Sequence, residues 1–576
     1  MYDRFPCVEA GSAGECLTGW APIAAHWRER IAARGKLVVE CYPGVHLEEV
    51  ERELRKALPK ARFIDTASLL RSPEEIAAML EPVLGDDPVF GRMNSIEIAD
   101  FLDPAKLAAA QTLSAQSSAA VVVFGTGASL VCAEPDVLVY ADLARWEIQM
   151  RQRRNQIGNL GADNLEELPS LKYKRAFFVD WRSADRLKMR LFDRIDLLLD
   201  TNVPEQPKAI SGDGFRRALR DVVRRPFRVV PFFDPGPWGG HWMERVCGIP
   251  AGDAPNHAWC FDCVPEENSL LLGFGEARVE IPSINLVLAH PHELLGDGIV
   301  ARFGPEFPIR FDFLDTVGGG NLSLQVHPLT SFIREHFGID YTQDESYYML
   351  DAESDACVYL GLKEGVDKAA MIRDLHRAQE EDFEFPAEQY VNRFPAKKHD
   401  HFLIPAGTVH CSGKGSMVLE ISATPYIFTF KLWDWGRVGL DGRPRPIHLT
   451  YGEANIQWNR TTEWVRKSLI NRVEPTAHGE GWREERTGLH ELEFIETRRH
   501  WFTGTVPHDT KGTVHVLNLI EGDAAVVESP TGAFAPFVVH YAETFIVPAA
   551  VGRYTIRPCA ANPKQELGTI QASVRV

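Results

Sequence analysis

Three short segments hold side chains that together could bind a metal ion. Gln325 and His327 lie in Leu322-Ser323-Leu324-Gln325-Val326-His327-Pro328, Glu345 in Asp344-Glu345-Ser346-Tyr347-Tyr348, and His410 at the end of Ile404-Pro405-Ala406-Gly407-Thr408-Val409-His410. Two imidazoles, one carboxylate and one amide oxygen are a ligand set for a divalent transition metal with room left for a substrate. The spacing supports that use. Gln325 and His327 are two apart in an alternating apolar stretch, and a strand sends such residues to one face. Glu345 opens the strand-like run Tyr347-Tyr348-Met349-Leu350. His410 follows a Pro-Ala-Gly-Thr turn that can aim the next side chain inward. Gly413 and Gly415 make a second turn, and residues 416–421 read as a returning strand. Strand, turn, inward histidine, turn, strand is the pattern of a small β-barrel with a metal in its mouth. Taken singly, either histidine reads first as an ordinary barrel-interior residue.

Several further pieces occur in order around these three: Pro237-Trp238-Gly239-Gly240, Val418-Leu419-Glu420-Ile421, Trp433-Asp434-Trp435-Gly436-Arg437, and Asp441-Gly442-Arg443-Pro444-Arg445-Pro446-Ile447-His448-Leu449. With them, the stretch from about 231 to 449 resembles the class I mannose-6-phosphate isomerases, metal-dependent members of the cupin superfamily. The resemblance implies that Gln325, His327, Glu345 and His410 bind one zinc ion per chain and that Ser323 lies near a substrate phosphate. Two positions depart from the family pattern. Gln343 stands where the family has a lysine two residues before the ligand glutamate. Lys431, in Thr429-Phe430-Lys431, stands where the family has an arginine, which keeps the charge and loses the bidentate fork.

The function this implies is an aldose–ketose isomerase acting on a hexose phosphate, mannose 6-phosphate and fructose 6-phosphate by resemblance. Such a reaction moves one proton between neighbouring carbons through an enediolate, so a base within hydrogen-bond reach is required. Glu420, a lysine of the pair Lys397 and Lys398, and a water at the metal are the candidates. Lys431 and Arg445 are expected to hold developing charge or the far end of the sugar, and Ser323, Gln343 and Lys398 to contact substrate. The alternative is a cupin that binds a sugar or sugar phosphate through its metal without turning it over, or one shifted to another sugar.

The remaining chain must position this site. Its 576 residues suffice for several domains, and a 45% hydrophobic fraction suits packed cores. A net charge of −18 argues against nucleic acid and anionic membrane surfaces as partners. No apolar run is long enough to span a membrane, and residues 1–6 carry no apolar signal core. The ten cysteines are scattered, which suits reduced, buried thiols in a cytoplasmic protein. Cys260 and Cys263 are the one close pair, read as structural. An oligomer is left open.

Residues 1–222 alternate strand-like and helix-like segments, which predicts a parallel α/β sheet. Part of it, residues 135–155 and then 177–182, resembles the P-loop sugar and nucleoside kinases. No Gly-x-x-x-x-Gly-Lys-Ser/Thr segment occurs, and Cys41-Tyr42-Pro43-Gly44-Val45 follows the first strand instead, so no ATP chemistry is expected. Gly125-Thr126-Gly127-Ala128-Ser129 offers a turn that could seat an anion. Asp180, Arg182, Asp185 and Lys188 read as a solvated helix face. Residues 201–214 read as a connection and 475–488 as loops. The expected architecture is multidomain α/β plus β: an N-terminal α/β domain over 1–222, a metal-binding cupin-like barrel over 223–480, and a second cupin-like barrel over 481–576. The last lacks a matching His/His/Glu set and is expected to be metal-free.

Overall fold

The computed structural model describes residues 2–575 except 32–33, 251, 425, 489 and 560–564. Two compact units emerge. One comprises residues 7–222 with 266–290, and the other residues 1–6, 223–265 and 291–576.

The first unit is built on a seven-stranded sheet in the order Cys16–Thr18, Lys208–Ser211, Leu197–Asp200, Val137–Asp142, Lys36–Cys41, Val121–Gly125, Arg62–Asp65. The last five run parallel, and Lys208–Ser211 and Cys16–Thr18 close one edge antiparallel. Val121–Gly125 and Val137–Asp142 are buried at every position, as befits parallel strands covered on both faces. Helix Leu47–Ala57 buries Val50 and Leu54, one turn apart. Ser72 and Glu75 form a reciprocal capping box that starts helix Pro73–Leu84. A second sheet joins Cys7–Gly11 to the hairpin Ser269–Phe274 and Ala277–Pro282. That hairpin lies beyond residue 222 in the sequence yet packs with this unit.

Two expectations for this unit need correction. The stretch 201–214 is more than a connection: it contains the edge strand Lys208–Ser211 and opens helix Gly212–Val222. A Cβ on Gly212 would lie 1.6 Å from the Ile195 carbonyl oxygen, so this glycine serves close backbone packing. The charged cluster at 180–188 is not a solvated face, because Asp180, Asp185 and Lys188 are buried. Their charges are matched internally. Lys188 reaches Asp142 at 2.9 Å and Asn285 at 2.9 Å, Asp185 pairs with Arg145 and accepts from the Tyr42 hydroxyl, and Asp180 accepts from Asn159. At the Gly125–Ser129 turn, the amides an anion would use are taken by a side chain of the protein itself. The Glu40 carboxylate accepts from the Gly127 and Ser129 amides at 2.6 and 2.8 Å. Burial raises its pKa to about 7 despite those bonds.

The second unit contains four antiparallel sheets. Six strands are ordered His401–Ile404, Asp344–Ala352, Ser416–Ala423, Arg310–Asp315, Trp259–Cys263, Phe232–Asp234. Five are ordered Val391–Pro395, Cys357–Leu362, His410–Ser412, Leu324–Val326, Phe430–Trp433. Helices Thr330–Phe337, Lys368–Glu380, Leu449–Asn455 and Thr462–Ser468 accompany them. The C-terminal part pairs a six-stranded sheet (Glu474–Gly479, Trp482–Arg486, Ile495–Phe502, Leu567–Val574, His515–Glu521, Thr544–Val547) with a four-stranded one (Val506–Asp509, Arg553–Pro558, Ala524–Glu528, Phe537–His540). Phe502, Leu517, Val527, Phe545 and Ile556 from both sheets share one core.

Residues 475–488 form an edge hairpin rather than loops. Its first strand is exposed throughout, and a charged, exposed edge discourages pairing with other chains. Cys260 and Cys263 are buried free thiols, and no disulfide forms among the described cysteines.

Candidate metal centre

The site begins with strand register. In the five-stranded sheet, Gln325 stands opposite His410 on one side and Lys431 on the other. Directly opposed residues share a face, and His327 lies two residues beyond Gln325 on that face. In the six-stranded sheet, Glu420 stands between Asp312 and Tyr347, and Glu345 precedes Tyr347 by two. The two faces meet at the carboxylate of Glu345. His327 Nε2 lies 3.0 Å from its Oε2, and His410 Nε2 lies 2.8 Å from its Oε1. All three side chains are buried, and their ligand atoms lie within 4.8 Å of one another.

The backbone fixes which nitrogen each ring presents. His327 Nδ1 lies 2.8 Å from the Phe428 carbonyl oxygen and His410 Nδ1 2.8 Å from that of Thr408. A carbonyl oxygen can only accept, so each Nδ1 carries the hydrogen and each neutral ring turns an Nε2 lone pair toward Glu345. Lone pairs facing a carboxylate at such distances need a cation or added protons between them. His327 Nε2 and Glu345 Oε1 are indeed buried without a hydrogen bond. The donor set therefore fits a divalent transition ion. Without an ion, protons would fill the same gap. Burial disfavours the charged carboxylate, yet His327 and His410 hold Glu345 well below the usual range. Burial likewise opposes the imidazolium of His327, and Glu345 raises its pKa.

Gln325 completes the cluster. Its Oε1 accepts from the Ser323 hydroxyl at 3.2 Å and its Nε2 lies 3.2 Å from His410 Nε2. Exchanging the two amide ends would offer oxygen to the cluster instead. Gln343 supports the cluster from behind. Its Nε2 donates to Glu345 Oε2 at 3.0 Å, and its Oε1 accepts from the Phe428 amide at 2.9 Å. One side chain thus braces the carboxylate and the residue whose carbonyl orients His327.

Lys431 is half-buried, and among the described residues no carboxylate lies within ion-pair distance of it. Burial, then the nearby Arg445, lowers its pKa to about 8. Glu420 does not form a salt bridge with Lys431. Burial, Asp312 and Glu345 push its pKa well above the carboxylate range. Arg445 is engaged by Asp434 through both nitrogens, at 2.6 and 2.5 Å, and Arg437 binds the same carboxylate. Lys398 is placed elsewhere: it pairs with Glu521 at 2.6 Å and lies over the Tyr541 ring.

Sequence reasoning passed over the residues that hold the His410 turn. Arg460 Nη1 donates to the Pro405 and Ala406 carbonyls and to the Thr408 hydroxyl, at 2.7, 2.7 and 2.6 Å. Asp344 accepts from the Ala406 amide at 2.8 Å. Gly407 has φ +89°, and a Cβ there would lie 2.9 Å from the Asn455 carbonyl oxygen, so glycine is required. Asp344 adjoins Glu345 in sequence and could have been noticed. Arg460 has no local signal.

Residues 19–224 match a family model described as a domain of unknown function (DUF8485). Over 233 residues the chain is 29% identical to a mannose-6-phosphate isomerase of Bacillus subtilis, an alignment covering 40% of this chain and 67% of the relative. Over 214 residues it is 28% identical to the mannose-6-phosphate isomerase of Streptococcus mutans, covering 37% and 61%. Among solved structures, the mannose 6-phosphate isomerase of Bacillus subtilis gives a TM-score of 0.49 at 18% identity, over 60% of this chain and 99% of that one. The chain thus spans about two thirds of the length of these curated relatives.

Proposed function

We propose that this protein is a metal-dependent aldose–ketose isomerase interconverting a hexose phosphate pair, mannose 6-phosphate and fructose 6-phosphate, with zinc held by Gln325, His327, Glu345 and His410. The chain is mannose-6-phosphate isomerase-like in sequence over 233 residues. The observation that carries the reading is the meeting of two Nε2 atoms on one buried carboxylate, with each ring fixed by a backbone carbonyl. The domain assignment belongs to the same proposal, with the segment 266–290 set apart because it packs with the first unit: the rest of residues 223–480 form the catalytic cupin-like barrel, 481–576 a second barrel, and 1–222 a separate α/β domain.

A bound divalent ion would supply positive charge that stabilises anionic sugar oxygens. The protein's own groups would handle the proton and the orientation. Lys431 shares the sheet face of Gln325, and an amine with a pKa of about 8 can give up and take back a proton near neutral pH. Glu420, facing the same interior, has its pKa raised by burial, Asp312 and Glu345, which favours the protonated form that could donate a hydrogen bond or proton to a sugar oxygen. Asp434 holds Arg445 and Arg437 beside Lys431, where they would meet the anionic end of the substrate. Ser323 would steer Gln325.

One observation favours a second reading, a substrate-shifted or non-catalytic sugar-binding cupin. Gln343 has no charge, and both ends of its amide are committed to Glu345 and Phe428. The test is hydrogen exchange in heavy water over a panel of aldoses, ketoses and their phosphates. Deuterium entering C1 or C2 of mannose 6-phosphate or fructose 6-phosphate supports the first reading. Exchange only with other sugars supports a substrate shift, and saturable binding without exchange refutes catalysis. Among the described residues no helix is long and apolar enough to cross a membrane.

A further inference from the structure

The arginine that holds the His410 turn has a second, uncommitted edge. Arg460 uses only Nη1 on the Pro405 and Ala406 carbonyls and the Thr408 hydroxyl. Among the described residues, its Nε and Nη2 have no hydrogen-bond partner, and no carboxylate lies within ion-pair distance of it. Neither nitrogen is sealed from solvent. Nε and Nη2 lie on one edge of the guanidinium and form the fork that takes two oxygens of a phosphate or carboxylate. Arg460 is 7% exposed, and burial lowers its pKa to about 10, so a cation sits in a setting that penalises charge without an ion-pair partner. Its guanidinium lies over the Trp464 ring at 5.4 Å, and the edge of His490 meets the same ring at 5.5 Å, which fixes the direction of the fork.

Arg460 lines a cavity of about 650 Å³ within the second unit, and Lys467, Arg472 and Arg486 line it too. Arg486 is paired with Glu474 at 2.9 Å. Lys467 and Arg472 form no ion pair with a described residue, and Glu491 is the other acid of the lining. His490 adds no charge. Its Nδ1 accepts from the Leu492 amide at 3.1 Å, and burial, then Arg460 and Arg575, lowers its pKa to about 4. Three cations thus share the cavity with one unpaired acid, in a chain whose net charge is −18. A concave surface of one sign concentrates ions of the other.

We propose that this cavity binds phosphate, free or as the monoester of a small molecule, at a site separate from the His327–Glu345–His410 cluster. The Nε–Nη2 edge of Arg460 takes two of its oxygens, and Lys467 and Arg472 balance its charge. A carboxylate brings one negative charge, whereas a phosphate monoester brings roughly 1.5 to 2 at pH 7, which suits three cations. Occupancy also fixes the guanidinium that shapes the His410 turn, so phosphate bound here should slow the release of a metal from the cluster. That coupling rests on the metal reading of the cluster, and the phosphate site does not.

The test uses the full chain with inorganic phosphate as the probe, followed by phosphorus NMR line broadening at fixed ionic strength. R445M removes a cation from the pocket beside Lys431 and so excludes phosphate seated there. Saturable binding is expected in the wild type and in R445M, weakened at least about tenfold in K467M/R472M. Lys467 and Arg472 are exposed, so the double variant should keep the wild-type circular dichroism and melting. The single variants K467M and R472M, each with a smaller loss, replace it if it does not. Binding that is absent, does not saturate, survives in K467M/R472M or vanishes in R445M overturns the proposal. Displacement by glycerol 3-phosphate at lower concentration than by unlabelled phosphate identifies an ester as the occupant, and the reverse order identifies free phosphate. In the second readout, phosphate should slow zinc release to a chelator several-fold in the wild type and not in K467M/R472M. Equal release rates with phosphate bound overturn the coupling. A chain that binds no zinc refutes the metal reading, and the phosphate titration still decides this site.

Discussion

Replacing Gln343 with methionine keeps the side chain's length and removes both ends of its amide. The hydrogen bond to the Glu345 carboxylate is lost, and a bond to a charged group contributes about 1.5–3 kcal/mol. The Phe428 amide loses its acceptor in a buried setting, which costs about 1–3 kcal/mol. The two losses touch the same cluster and are not additive, so the metal-free variant should be less stable by roughly 2–5 kcal/mol. Metal binding should suffer as well. Glu345 is no longer braced, and the backbone that orients His327 through the Phe428 carbonyl is loosened. Loss of such an outer partner weakens metal affinity by roughly 10- to 100-fold. The assay is zinc competition against a chromophoric chelator, with urea unfolding of the stripped protein alongside. If Gln343→Met binds zinc within about twofold of wild type and unfolds at the same urea concentration, the bracing role is refuted.

Lys431→Met separates two uses of one amine. If the neutral amine acts as base, wild-type kcat/KM rises with pH to an inflection near 8, and the variant loses that limb. A rate that instead falls above pH 8 assigns the amine to charge recognition. Glu420→Gln replaces a carboxyl whose neutral form burial favours with a neutral amide of similar shape, so the fold should persist. As a proton carrier, its loss should lower the rate by about two to four orders of magnitude with metal retained, and an unchanged rate eliminates it. His401 is buried, and burial, then Arg499, lowers its pKa to about 3. Between that value and roughly 6.5 the unfolded chain binds a proton the folded chain refuses, so stability is lost as pH falls. The loss from this group should be about 2 kcal/mol at pH 5. His401→Phe should flatten the acid limb of stability measured by urea unfolding from pH 7 to 5, and an unchanged limb excludes His401.

Alternation alone placed Gln325 and His327 on one face, and the turn 405–408 aimed His410 inward, because strand and turn geometry are local. The chain of relations from candidate ligand to support was only partly local: Gln343 reaches Glu345 two residues away, while Phe428 and Arg460 come from distant segments. Charge pattern misled where partners were remote. Asp180, Asp185 and Lys188 have the spacing of a solvated helix face, yet Asn159, Arg145, Asp142 and Asn285 enclose them. Lys398 resembles a base candidate until Glu521, more than a hundred residues on, takes its amine.

The sequence by itself therefore determined the types of the donor atoms, the faces that carry them and the alternation of strands and helices in the first 222 residues. These follow from side-chain chemistry and a backbone period of two or 3.6 residues. Only the tertiary structure decided that Glu345 meets both imidazoles and that Glu40 fills the turn at Gly127. Each of these depends on which strands pair and in what register, and a register is set by contacts between segments that lie far apart along the chain.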